Sequence, residues 1–81
     1  MTDNTYRVTE IVGSSPDSVQ QAIRNGIARA SKTIRNLDWF EVQQIRGYLG
    51  HSSDVQEYQV TLKLGFRYDD EQRPSSAPDR A

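Results

Sequence analysis

The sequence contains no cysteine, one histidine and one tryptophan, and it has no long apolar run. The absence of cysteine excludes disulfides, thiolate metal sites and cysteine nucleophiles, and one histidine cannot supply a histidine-rich metal site. No segment approaches the ~18 apolar residues of a membrane span, and the N-terminus lacks the apolar core of a signal peptide. We therefore expect a cytoplasmic protein with no metal and no membrane partner.

An excess of positive charge is also missing. Ten Lys and Arg residues stand against 11 Asp and Glu residues, for a net charge of −1. This balance argues against nucleic acid as the main partner, because nucleic-acid-binding domains usually carry a basic patch or stripe. With 81 residues, of which 35% are hydrophobic, the chain forms at most one domain with a small core. Without disulfides or a metal, association of several copies is the remaining means of stabilisation, so we expect a homo-oligomer.

Composition separates one folded unit from two chain ends. Residues 71–81 contain two of the three prolines and, apart from two alanines, no apolar residue. Such a segment cannot compensate for its ordering entropy, so it is predicted to be a disordered tail. Residues 1–4 are expected to be frayed, which leaves 5–70 as the predicted domain.

The first half of the predicted domain has the pattern of a strand followed by a helix. Residues 6–12 alternate between two faces, and residues 13–15 are predicted to end this strand. Ser15 is the predicted N-cap of a helix whose apolar stripe extends it to about Arg35. Because Gly26 is unfavourable within a helix, its place in that stripe indicates that another backbone approaches there.

The second half has the pattern of two long strands. Residues 39–49 form the first, in which the apolar positions change phase, so a β-bulge is predicted near residues 43–44. With that bulge, four apolar side chains face the helix: Phe40, Val42, Ile45 and Leu49. Residues 55–68 alternate regularly and follow a loop of turn formers at 50–54. The predicted fold is α+β: a β-α-β-β chain with a three-stranded antiparallel sheet against one helix, the first strand pairing with the third.

The sheet face turned away from the helix carries the candidate binding residues. Trp39 offers a broad aromatic surface for a planar heteroaromatic ring, and Gln59 projects to the same face with an amide that can match a ring edge. Arg46 and Arg67 can bind phosphate or stack on a ring. The structural alternatives are that Trp39 covers a subunit interface and that Gln59 is only solvated. For the arginines, the alternative is salt bridges across strands or subunits to Glu41, Glu57 or Asp69. No nucleophile–base pair, carboxylate dyad or phosphate loop is present, so we expect no catalytic residue.

Several stretches resemble the dodecins, including their bacterial branch. They are VGSS at 12–15, ASKTIRNLDWFEV at 30–42, IRG at 45–47, EYQV at 57–60 and GFR at 65–67. The resemblance covers about residues 5–70. It implies a sheet wrapped around the helix, twelve protomers in a hollow dodecamer, and flavins bound in pairs between tryptophans of two subunits. It also implies flavin storage rather than catalysis.

The resemblance also implies which residues bind the cofactor. Trp39 matches the stacking tryptophan, Gln59 the glutamine that hydrogen-bonds the isoalloxazine edge, and Arg46 the bacterial arginine beside the flavin. Gln44 matches a neighbouring pocket position that contacts the flavin and whose residue type varies. Asp38 is a further candidate, with a cap or turn residue as its structural alternative. Lys32 and Arg67 are weaker candidates. Lys32 and Arg67 are also candidates for phosphate or for coenzyme A; the structural alternative for Lys32 is that it complements the helix dipole.

FMN is the expected flavin, with riboflavin and FAD as alternatives, and coenzyme A is a further candidate ligand. Three rival functions stay open. They are a protein scaffold without flavin, a flavin-dependent redox enzyme and, least favoured by the charge balance, single-stranded RNA binding.

Overall fold

The computed structural model describes residues 5–68. The element order is β1 (Tyr6–Ser15), α1 (Val19–Ala30), β2 (Leu37–Leu49) and β3 (Val55–Arg67). The strands form one antiparallel sheet in the order β1-β3-β2, so β3 lies in the middle. This confirms the predicted β-α-β-β fold and the pairing of the first strand with the third. The predicted frayed N-terminus at 1–4 and the predicted tail at 71–81 lie outside the described residues.

The core lies between α1 and the two strands β1 and β3. Its buried hydrophobic residues are Ala22, Ala30, Val60, Leu62 and Leu64. Burial of each large aliphatic side chain contributes about 1.5–3 kcal/mol relative to exposure, so the middle strand supplies most of the hydrophobic stabilisation. Among residues 5–68, no helix is long and apolar enough to span a membrane.

Glycine at two positions brings α1 against β1. A Cβ atom on Gly13 would overlap the carbonyl oxygen of Ala22, and a Cβ on Gly26 would lie 3.2 Å from the Gly13 Cα. The close backbone approach predicted at Gly26 is therefore confirmed. The predicted strand break at 13–15 is wrong, because these residues pair with 58–60 of β3. Gly13 serves helix packing here rather than a turn.

The N-terminus of α1 also differs from the prediction. Ser18, not Ser15, is the N-cap, since its Oγ accepts a hydrogen bond from the Gln21 backbone N–H at 2.9 Å. Ser15 is instead the buried last residue of β1, and its Oγ accepts from the Asp17 backbone N–H at 2.9 Å. Both hydroxyls accept hydrogen bonds from backbone N–H groups. Only Ser18, however, binds an N–H of the first helical turn that has no acceptor within the helix.

The helix ends at Ala30 rather than near Arg35. After it, the Lys32 N–H donates to the carbonyl three residues back at 3.2 Å, which tightens the chain into a turn. Asn36 then adopts a positive φ of 65°, a conformation that asparagine tolerates better than most residues. Ile34 still packs against the core, which explains why the apolar stripe continues beyond the helix.

β2 contains the predicted bulge but is left largely uncovered by the helix. The β2–β3 register shifts between Val42 and Gln44, which confirms the predicted position. The apolar residues of β2 lie opposite buried residues of β3, as the predicted faces require: Phe40–Leu64, Val42–Leu62 and Ile45–Val60. Because α1 packs over β1 and β3, however, these three β2 side chains stay 48%, 39% and 55% exposed. Leu49, beyond a further register shift, is exposed as well.

Candidate functional site

The site residues predicted on the sheet lie on the face turned away from α1, here called the far face. Residues of β3 alternate between the two sides, so those between the buried Val60, Leu62 and Leu64 point to the far face. The register aligns Trp39 with Gly65, and Arg46 with Gln59. The predicted shared face for Trp39, Arg46 and Gln59 is therefore confirmed.

Trp39 packs on Gly65 of the middle strand. Gly65 has no side chain, and a Cβ atom there would overlap the six-membered ring of the Trp39 indole. The Tyr6 ring lies beside the indole, with a centroid separation of 6.1 Å and an interplanar angle of 58°. Trp39 nevertheless stays 40% exposed. The sheet thus supports one part of the indole and leaves another part open to a ligand.

Asp38 joins this group through a backbone irregularity. The register shifts between Leu37 and Trp39, so Asp38 is an extra residue in β2. Its Oδ2 accepts a hydrogen bond from the Tyr6 hydroxyl at 3.1 Å and lies 3.6 Å from Arg67 Nε. We call Tyr6, Asp38, Trp39, Gly65 and Arg67 the tryptophan cluster. Arg67 therefore forms a salt bridge, but its partner Asp38 is not among the partners predicted from the sequence.

A second group of predicted site residues lies farther along the same face. Arg46 Nη2 donates to Gln44 Oε1 at 2.9 Å, and Gln59 lies directly across from Arg46. We call Gln44, Arg46 and Gln59 the amide cluster. Gln44 and Arg46 are exposed, and Gln59 is partly buried. This cluster presents amide donors and acceptors together with one guanidinium, which suits a heteroaromatic edge and a nearby anion.

The two clusters occupy different stretches of the far face within one protomer. Gly65, under the indole, and Gln59 are six positions apart in β3, which corresponds to about 20 Å of extended strand. This distance exceeds the length of a three-ring heteroaromatic group. Within one protomer, the Trp39 indole and the Gln59 amide are therefore not direct neighbours.

Lys32 does not join either cluster. It lies in the turn after α1 and is exposed, rather than in the last helical turn as predicted. It follows the end of a helix that packs on the opposite side of the sheet from the far face. The structure therefore divides the seven predicted residues into three near the indole, three in the amide cluster, and Lys32 apart.

The residues present fit a planar heteroaromatic ligand such as a flavin. The exposed indole supplies a stacking surface, and the glutamine amides supply donors and acceptors for carbonyl and N–H groups on a ring edge. Arg46 supplies positive charge for a phosphate. Trp39 and Gln59 would hold the ring, and the ligand would bring its own redox-active, light-absorbing chemistry.

Tyr6 and Gly65 belong to the tryptophan cluster but are not among the site residues predicted from the sequence. Both act through neighbours on other strands, so their contacts depend on the sheet order and register. One signal was available for Gly65: a lone glycine in a regular strand often marks the close approach of another group. For Tyr6, alternation alone assigned a face but not a neighbour.

Comparison with known proteins agrees with this architecture. The dodecin family model matches residues 5–69. The dodecin of Thermus thermophilus is 49% identical over 65 residues, which cover 80% of this chain and 93% of that protein. The dodecin structure from Streptomyces davaonensis is 58% identical, with a TM-score of 0.80, and covers 85% of this chain and 100% of that one. The dodecin structure from Streptomyces coelicolor is 57% identical, with a TM-score of 0.81, and the match covers 86% of this chain and 99% of that one.

Proposed function

The chain belongs to the dodecin family, and on that premise we propose that it is a non-catalytic flavin-binding protein that stores and sequesters FMN. Flavin binding is a general property of this family. One observation in the chain carries the proposal: the indole of Trp39 is supported from below by Gly65 and is 40% exposed on the far face. An exposed, supported indole is a stacking surface for an isoalloxazine ring.

Assembly of several protomers completes the proposed site. Membership of the dodecin family supports a homo-oligomer, and the family's hollow dodecamer is the arrangement we propose here. Two features of the protomer favour association. The helix side of β2 exposes Phe40, Val42 and Ile45, and Trp39 lies about 20 Å along the sheet from Gln59. Association would cover the apolar surface and could bring a tryptophan of one protomer to the amide cluster of another.

The charges near the two clusters favour a phosphorylated flavin. The Arg46 guanidinium is hydrogen-bonded to the neutral Gln44 amide, so that contact leaves its positive charge uncompensated. Arg67 lies beside the Asp38 carboxylate, which offsets its charge. Arg46 is therefore the stronger candidate for the FMN phosphate, whereas riboflavin would leave this cation without a ligand. Coenzyme A stays a prediction, based on Lys32 and Arg67.

Stacking also explains why the proposed function is storage. A ring held between aromatic side chains has little free surface for a second reactant. The indole is an electron donor next to the bound ring, so light absorbed by the flavin is expected to be dissipated rather than emitted. We therefore expect flavin fluorescence to fall on binding, and we expect no turnover of an added reductant.

Fluorescence titration of the ligand-free protein with FMN, riboflavin and FAD tests the proposal. We expect saturable quenching with FMN, and we expect Arg46→Gln to weaken FMN binding more than riboflavin binding. Arg24→Gln, an exposed charge change on α1, is the matched control and should alter neither. An assembled particle that binds none of the three flavins would contradict the proposal and favour a scaffold. Steady oxidation of a reductant by the flavin-loaded particle would instead favour an enzyme.

A further inference from the structure

Tyr6 contacts Trp39 from the opposite edge of the sheet. The strand order β1-β3-β2 places Tyr6 on one outer strand and Trp39 on the other. The two rings are nevertheless 6.1 Å apart between centroids and inclined at 58°. The Trp39 ring lies over Gly65, where the middle strand has no side chain, and Tyr6 pairs with Arg67, two positions farther along β3. Tilted aromatic pairs at this separation attract each other through their ring edges and faces.

The hydroxyl of the same tyrosine holds the residue before the tryptophan. Tyr6 donates to Asp38 Oδ2 at 3.1 Å, and Arg67 Nε approaches the same oxygen at 3.6 Å. Asp38 is the extra residue of the register shift that precedes Trp39. The peptide leading into Trp39 is therefore restrained by side chains from β1 and β3, in addition to the strand hydrogen bonds. Tyr6 thus contacts the Trp39 indole with its ring and, through its hydroxyl and Asp38, restrains the backbone next to it.

We propose that Tyr6 is a positioning residue that holds the Trp39 indole in its ligand-binding orientation before the ligand arrives. The inference rests on the proposed function for the identity of that ligand as a flavin. A stacking surface fixed in advance costs less conformational entropy on binding than one that must be ordered by the ligand. Tyr6 acts through Trp39, so its removal changes the mobility of the indole first and the affinity as a consequence.

The mobility of the indole can be measured without any flavin. Trp39 is the only tryptophan in the sequence, so time-resolved tryptophan anisotropy of the ligand-free protein reports on this side chain alone. We expect Tyr6→Leu to increase nanosecond motion of the indole clearly, and Tyr6→Phe, which keeps the ring but loses the hydroxyl, to have an intermediate effect. Tyr58→Phe, on the helix side of the sheet, is the control and should match the unaltered protein.

FMN affinity provides the second readout. We expect Tyr6→Leu to raise the Kd for FMN by about three- to tenfold, in line with the energy of an aromatic pair. If Tyr6→Leu does not assemble, the near-isosteric Tyr6→Phe supplies both measurements. Unchanged anisotropy in the tested Tyr6 variant would overturn the inference, whatever the affinity. If the unaltered protein binds no flavin, the proposed function fails, and the anisotropy still decides whether Tyr6 positions Trp39.

Discussion

Replacement of Trp39 by alanine removes the proposed stacking surface while leaving the strand backbone in place. The indole is 40% exposed and rests on Gly65 rather than in the buried core, so we expect the sheet to persist. Stacking of a planar ring on an aromatic side chain is worth about 1–3 kcal/mol, which corresponds to a Kd about 5- to 150-fold weaker. Trp39→Phe keeps a smaller ring and should fall between alanine and the unaltered protein.

The assay must separate binding from quenching, because the tryptophan is expected to cause both. Free FMN should therefore be measured by ultrafiltration, with the mass of each variant determined by light scattering. Tyr58→Phe, a conservative change on the helix side of β3, is the control and should bind like the unaltered protein. A Trp39→Ala particle of unchanged mass that retains FMN with unchanged Kd would refute the stacking argument.

Three further predictions concern packing and capping. Gly65→Ala should weaken FMN binding, because the added Cβ would overlap the Trp39 ring. Gly47→Ala is the control and should leave FMN binding unchanged, because its Cβ would meet its neighbours at 3.7 Å. Equal FMN affinities of the two variants in the titration would contradict this prediction. Ser18→Ala should lower the free energy of unfolding by about 1 kcal/mol through loss of the helix cap, as measured in urea. Leu62→Ala should cost about 2–5 kcal/mol in the same assay, because the side chain is fully buried; a loss smaller than that of Ser18→Ala would contradict the assigned core.

The fold was predictable where local pattern determines it. Alternation in β3 identifies its buried side because every second residue contacts the helix layer, and the phase change in β2 locates the bulge at 43–44 because an extra residue exchanges the two faces. Gly13 was misinterpreted because glycine is typical of both turns and close packing. Only the position of α1 against β1 distinguishes the two, and local sequence does not contain that position.

The candidate site was predictable only in part, for a related reason. Strand alternation, together with the bulge in β2, places Trp39, Arg46 and Gln59 on one face of the sheet. Their separation along that face depends on the register between β2 and β3. The contact of Tyr6 with Trp39 further depends on strand order, since the two residues belong to outer strands that do not pair.

Size-exclusion chromatography of the FMN-loaded protein, with light scattering and flavin absorbance recorded together, tests the central claim most directly. The proposed assembly predicts one peak, with a mass near twelve times the 9.2 kDa protomer and about one flavin per chain, because each protomer supplies one Trp39 for stacking. Flavin that elutes apart from an assembled particle would contradict flavin storage. Flavin that elutes with single protomers would contradict a site shared between copies of the chain.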